Sequence, residues 1–165
     1  GRRRIRPDDL LAFMRDRGMT VPHRLQPRRD RVAIVDDDLL HVKTLRRMLN
    51  IEHKDLQIEV AHDGFSAGAL LFTFHPHLII LDLVMPGMDG FEVCRRIRAD
   101  PEFDDAGVVI LTGLDPEPFR NRLEELGATA IFRKPLRLPQ LDTVLERYVP
   151  DGLSRAITQA SATLL

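Results

Sequence analysis

The sequence predicts an α/β protein built on a doubly wound parallel sheet. Between Arg31 and Tyr148, five short apolar runs alternate with amphipathic segments. Three runs, Val32–Val35, Leu78–Leu81 and Val108–Leu111, are continuous aliphatic stretches, as strands covered on both faces require. The segments between them carry helical spacing. Strands that alternate with helices in this way pack as a parallel sheet with right-handed crossovers.

Each element has its own signal. The first strand, Val32-Ala33-Ile34-Val35, runs into Asp36-Asp37-Asp38. Asp38 stands at an N-cap position, and Leu39, Val42, Leu45 and Leu49 share one face of the helix that follows. On the same helix Leu40, Thr44, Met48 and Ile51 form a second stripe. From Leu56 to Ala61, apolar Leu56, Ile58 and Val60 alternate with Gln57 and Glu59, the pattern of a half-covered edge strand. Gly64 to His75 reads as a helix ended by Pro76, and Leu78–Leu81 as the third strand. Phe91, Cys94 and Ile97 line the helix after Asp89-Gly90, with Cys94 as packing. After the strand Val108–Leu111, Phe119, Leu123 and Leu126 precede Gly127, a C′ stop. Thr129–Phe132 is the last strand, and Leu138, Leu141, Val144, Leu145 and Tyr148 mark the last helix.

Outside this unit the signals thin. Residues 1–18 hold a short helix at 7–17, with Pro7 at N1 and Gly18 as its stop. Residues 19–30, with Pro22 and Pro27, read as a linker, and 150–165 as a weakly amphipathic, helical extension. The 165 residues are 44 % hydrophobic and 30 % charged, a globular composition. A single cysteine excludes a disulfide framework and a cysteine-rich zinc site and fits a reducing compartment. With no apolar run of membrane-spanning length and no secretory h-region, the chain is expected to be cytoplasmic, without a membrane partner. The net charge of −1 divides into +6 over residues 1–31 and −7 over residues 32–165. That asymmetry implies two pieces with different partners.

In open α/β sheets, ligands bind beyond the carboxyl ends of the strands. The first strand ends there in Asp36 and Asp37, the third in Asp82, the fourth in Thr112 and the fifth in Lys134. Three clustered carboxylates need protonation or a cation among them. An all-oxygen set without thiolate or imidazole favours Mg²⁺ over zinc. Mg²⁺ with Lys134 and Thr112 would neutralise a phosphoryl group, and Asp82 is the candidate nucleophile.

The residues Val35-Asp36-Asp37-Asp38, Ile80-Leu81-Asp82-Leu83-Val84-Met85-Pro86-Gly87-Met88-Asp89-Gly90, Thr112 and Lys134-Pro135 together resemble the receiver domain of two-component response regulators. The resemblance runs over residues 31–149. It implies a flavodoxin-like sheet of order 2-1-3-4-5 with helices on both faces. It further implies that Asp82 accepts a phosphoryl group from a phosphohistidine on a sensor histidine kinase or phosphotransfer protein. Asp37 and Asp82 would ligate Mg²⁺ directly, Asp36 through water, and the Val84 carbonyl would complete the set. Lys134 and Thr112 would bind the phosphoryl oxygens, Gly113 would leave room for its entry, and the peptide before Pro135 would be cis. Leu40, Thr44 and Met48 would face a docking partner, and a second copy of the chain is a further candidate partner.

Two departures matter. The family's aromatic switch position holds Ile131, with Phe132 one residue later. Val84 and Leu114, two residues beyond Asp82 and Thr112, are apolar and cannot orient a hydrolytic water, which implies slow self-dephosphorylation. A fainter resemblance joins Gly1–Phe13 to the closing wing and helix of an excisionase or MerR-type helix-turn-helix module. It implies an output through DNA, by a domain upstream of this chain. Two rival readings stand beside the phosphoacceptor. One is a haloacid-dehalogenase-like phosphatase with Asp36-Asp37-Asp38 as its D-x-D. The other is a degenerate receiver acting only as an interaction module.

Overall fold

A computed structural model describes residues 13, 14, 16–19 and 30–149. Phe13, Met14 and Asp16 are helical. The rest of the expected N-terminal helix, most of the linker and the extension at 150–165 lie outside the described residues.

The element order is β1 (Arg31–Val35), α1 (Leu39–Glu52), β2 (Gln57–Ala61), α2 (Gly64–Phe74), β3 (Leu78–Leu81), a hairpin of β4 (Val84–Met85) and β5 (Met88–Asp89), α3 (Gly90–Ala99), β6 (Gly107–Thr112), α4 (Arg120–Glu125), β7 (Ala130–Arg133) and α5 (Leu138–Tyr148). Five strands form one parallel sheet in the order β2-β1-β3-β6-β7. Counted without the separate antiparallel hairpin, this is the expected 2-1-3-4-5 arrangement.

Strand alternation divides the core into two layers. Ala33, Val35, Ile79, Leu81, Val108, Ile110 and Ile131 face α2, α3 and α4. Val32, Ile34, Leu78, Ile80, Val109 and Leu111 face α1 and α5. Leu45 and Leu49 of α1 and Leu141 and Leu145 of α5 are fully buried. Each contributes about 2 kcal/mol of apolar burial, which fastens these helices to the sheet.

The edge position of β2 explains its alternating pattern: Ile58 is buried while Gln57 and Glu59 face solvent. His75, at φ 47°, ends α2 just before Pro76. Gly127, at φ +82°, turns the chain after α4.

Two local expectations need correction. Leu39 does not join the core stripe and is 68 % exposed. It lies in the first turn of α1, past the carboxyl end of β1, where no sheet lies beneath it. The expected helix spanning Phe119 to Leu126 is shorter: Pro118 lies in a 3₁₀ turn at Glu117–Phe119, and α4 then holds only 6 residues. The hairpin at 84–89 had no periodic signal, because two-residue strands carry none.

Candidate functional site

Asp36 and Asp37 directly follow β1, and Asp82 follows β3, the adjacent strand. The sheet therefore delivers the carboxylates to one edge. Oxygens of Asp36, Asp37 and Asp82 all lie within 4.8 Å of one another. Asp36 and Asp82 are buried and Asp37 is exposed.

Lys134, just beyond β7, bridges the two buried acids. Its Nζ donates to Asp36 Oδ2 at 2.6 Å and to Asp82 Oδ2 at 2.7 Å. The Lys134 N–H donates to the Thr112 carbonyl at 2.8 Å, and the Lys134–Pro135 peptide is cis. The other oxygen of each carboxylate also accepts a bond. Asp36 Oδ1 accepts the Asp38 N–H at 2.9 Å, and Asp82 Oδ1 accepts the Val84 N–H at 3.1 Å. Burial pushes the Asp36 carboxyl up, but its bonds to His41 and Lys134 outweigh this and hold it below the ordinary carboxylate value. Burial pulls the Lys134 ammonium down, and its bonds to Asp36 and Asp82 overcome that and raise it. Both effects favour the charged forms.

Thr112 is fully buried at the carboxyl end of β6, and its Oγ1 accepts the Leu114 N–H at 3.2 Å. Gly113 is exposed, and a Cβ there would meet nothing within 4 Å, so packing does not require glycine. Val84 is 55 % exposed and Leu114 45 % exposed, both beside the site. Ile131 is buried within β7. On α1, Leu40 and Thr44 are exposed, but Met48 is half-buried against the core.

Two participants had no sequence signal as site residues. His41 Nδ1 lies 2.6 Å from Asp36 Oδ2 and donates to it. The ring comes from the first turn of α1, five positions on, and a lone histidine in a helix points to no role. His62 Nδ1 donates to the Asp36 carbonyl at 3.0 Å. Gly90 is legible in the sequence as the end of the Asp82-to-Gly90 run and as a helix start, but the packing reason for glycine there is not. A Cβ there would come within 2.7 Å of Leu83 Cα and 2.9 Å of the Asp82 carbonyl oxygen. The close approach of α3 to the backbone that carries Asp82 requires glycine.

The donor set suits a hard divalent cation. It is all oxygen, and three carboxylates against one ammonium leave a net negative charge that a divalent ion would offset. The D-x-D needed by the phosphatase reading does not assemble. Asp38 turns away to cap α1, its Oδ1 accepting the Leu40 and His41 N–H groups at 2.9 and 3.0 Å.

Known proteins resemble the chain in sequence and in fold. The family model of the response regulator receiver domain matches residues 32–146. Response regulator PleD of Caulobacter vibrioides is 38 % identical over 106 residues, covering 64 % of this chain and 23 % of PleD. Response regulator MprA of Mycobacterium avium is 34 % identical over 140 residues, covering 81 % of this chain and 60 % of MprA. The chain thus spans less than two thirds of the length of these curated relatives. Among solved structures, the signal receiver domain of a DNA-binding response regulator (merR) from Colwellia psychrerythraea superposes with a TM-score of 0.70 at 33 % identity, covering 73 % of this chain and 98 % of that one. The BeF3-activated receiver domain of Klebsiella pneumoniae RstA gives a TM-score of 0.64 at 25 % identity, over 72 % of this chain and 97 % of that one. The chain belongs to the response regulator receiver domain family.

Proposed function

We propose that Asp82 is the phosphoacceptor of a signalling switch, supplied by a phosphohistidine on a sensor histidine kinase or phosphotransfer protein. The observation that carries this reading is the Lys134 bridge between Asp36 and Asp82 inside the three-carboxylate cluster. A carboxylate oxygen of Asp82 attacks phosphorus, the P–N bond breaks, and its electron pair leaves with the imidazole nitrogen. Lys134, already on Asp82, shifts its ammonium to the phosphoryl oxygens, and the Thr112 hydroxyl donates to another. Asp37, Asp82 and the Val84 carbonyl would hold Mg²⁺, with Asp36 acting through water. When bound, that ion would supply charge neutralisation for the transferring group. Gly113 keeps the entrance open. The exposed side of α1 at Leu40 and Thr44, without the half-buried Met48, is the docking surface for the donor protein.

Acetyl phosphate with Mg²⁺ should label the protein, and Asp82→Ala should abolish the labelling. Labelling that survives that substitution, or proceeds unchanged after chelation of Mg²⁺, overturns the assignment.

The output belongs to the same proposal. Residues 1–31 carry a net +6, which suits phosphate contacts on DNA made by an upstream domain. The Colwellia relative is described as part of a DNA-binding response regulator, in keeping with this reading. A parent protein whose DNA affinity shows no dependence on Asp82 phosphorylation would remove it.

A further inference from the structure

α2 differs in chemistry from the rest of the surface. In a chain 30 % charged, its 11 residues include no ionisable side chain. Ala67 and Leu71 face the core, with Leu70 and Phe74 packed against it. The outer face is Phe65, Gly68, Ala69 and Phe72, at the i, i+3, i+4, i+7 spacing of one helix stripe. Phe65 is 91 % exposed and Phe72 67 %. Beside the stripe, between α2 and α3, runs a groove of about 210 Å³ whose lining includes Gly68, Leu71, Phe72, Ile97 and Phe103. Since a cavity of roughly 150 Å³ accepts benzene, this one has room for a phenyl ring.

We propose that this face binds a second copy of the same chain, with α2 crossing its equivalent antiparallel about a two-fold axis between Gly68 and Ala69. A two-fold interface must complement itself, and this stripe does. Phe65-x-x-Gly68-Ala69-x-x-Phe72 reads the same from either end in size: ring, small pair, ring. Antiparallel crossing places Phe65 of one copy over the groove between Gly68 and Phe72 of the other, twice. The small pair at the crossing point lets the helices approach closely. The helix ends match as well. The N-terminal end of α2 at Asp63, whose carboxylate is bonded to Ser66, comes near the second copy's C-terminal end at His75, which lies 3.6 Å from Glu102 in its own chain, so that opposite ends of the helix dipoles adjoin. A different protein would have to bring this complement, whereas an identical chain already carries it. The exposed parts of Phe65 and Phe72 from two copies supply roughly half of the ~1,200 Å² that a specific interface needs. Gly68, Ala69, Thr73 and the α3 wall of the groove border them and extend the contact.

The inference is independent of phosphoryl chemistry at Asp82. The test uses the full chain without phosphodonor. Sedimentation equilibrium should show a concentration-dependent dimer, and Phe65→Glu should weaken it at least tenfold. Phe65 is so exposed that the substitution should leave the melting temperature unchanged at dilutions where both chains are monomeric, which a parallel melt verifies. Cys94 is buried and is the sole native cysteine, so an introduced thiol can be oxidised selectively. Ala69→Cys should form a covalent dimer at least tenfold faster than Thr44→Cys on α1. A wild-type chain that stays monomeric throughout, an unchanged dimer in Phe65→Glu, or equal cross-linking at positions 44 and 69 overturns the proposal. So does a larger species that contains a different polypeptide.

Discussion

Lys134 holds apart two buried carboxylates that would otherwise repel each other, and its removal has a definite cost. Lys134→Ala leaves Asp36 and Asp82 buried with their cation gone, which should destabilise the fold by about 3 kcal/mol in Mg²⁺-free buffer. Added Mg²⁺ should restore part of that loss and should stabilise the variant more than the wild type. Urea titrations with and without Mg²⁺ measure both, and an equal Mg²⁺ effect in the two proteins would contradict this account. The pH window follows from the shifts. Asp36 is depressed when folded, so its contribution is complete above 3.8 and fades as pH falls through the lower folded value. Lys134 is raised, so its contribution is complete below 10.5 and fades as pH rises through the higher folded value. In the wild type the contribution of these two groups should therefore stay flat between these limits. In Lys134→Ala the buried acids lose the cation that lowers them, so the cost of the substitution should shrink as pH falls towards 3.8. A second outcome concerns Val84 and Leu114, both exposed beside the site and unable to orient water. Decay of the phosphorylated protein should take minutes or longer, and Val84→Asn should accelerate it, as read by loss of label. Asp36, Asp37, Asp82 and Lys134 were legible only in combination, because the ends of three parallel strands converge on one edge of the sheet, whereas singly an acid there also reads as a helix cap. His41 was not, because its bond to Asp36 depends on how α1 leaves the sheet.

Elements were legible in proportion to their length. The five sheet strands carry apolar-run signals, and α1, α3 and α5 periodic ones, that the packing satisfies apart from Leu39. Hairpin β4–β5 carries none, and a geometry set by one glycine organises its surroundings. At Gly90 an added methyl would meet backbone of Leu83 and Asp82, which cannot move aside as a flexible side chain could. Gly90→Ala should cost about 1–3 kcal/mol and also slow labelling by acetyl phosphate, because the loop carrying Asp82 must shift. Denaturation midpoints and labelling rates check the two effects separately. Lost stability with unchanged labelling would mean that the helix yields and the loop does not. Leu39 shows the opposite limit of sequence reading. Its spacing fits the core stripe, yet burial depends on where the sheet ends, which periodicity alone does not contain.

At the scale of the whole molecule, the two core layers decide how a signal at the strand ends can travel. Thr112 continues the strand face of Val108 and Ile110, which belongs to the α2–α3–α4 layer. Ile131 lies in that layer too, whereas Phe132 packs with α1 and α5 on the other side of the sheet. A movement of the Thr112 hydroxyl towards a phosphoryl group would open space beside Ile131, a branched aliphatic residue with no ring to rotate into it. Phe132 cannot take over, because reaching that space would require it to cross the sheet. Activation should therefore shift the backbone after Thr112, at Gly113 to Pro116, while Phe132 keeps its half-buried place. A structure of the complex with beryllofluoride and Mg²⁺ tests this directly. Altered burial of Phe132 beside an unmoved 113–116 segment would show that the signal crosses the sheet. A displaced 113–116 segment with Phe132 in place would confine it to the layer that also carries α2.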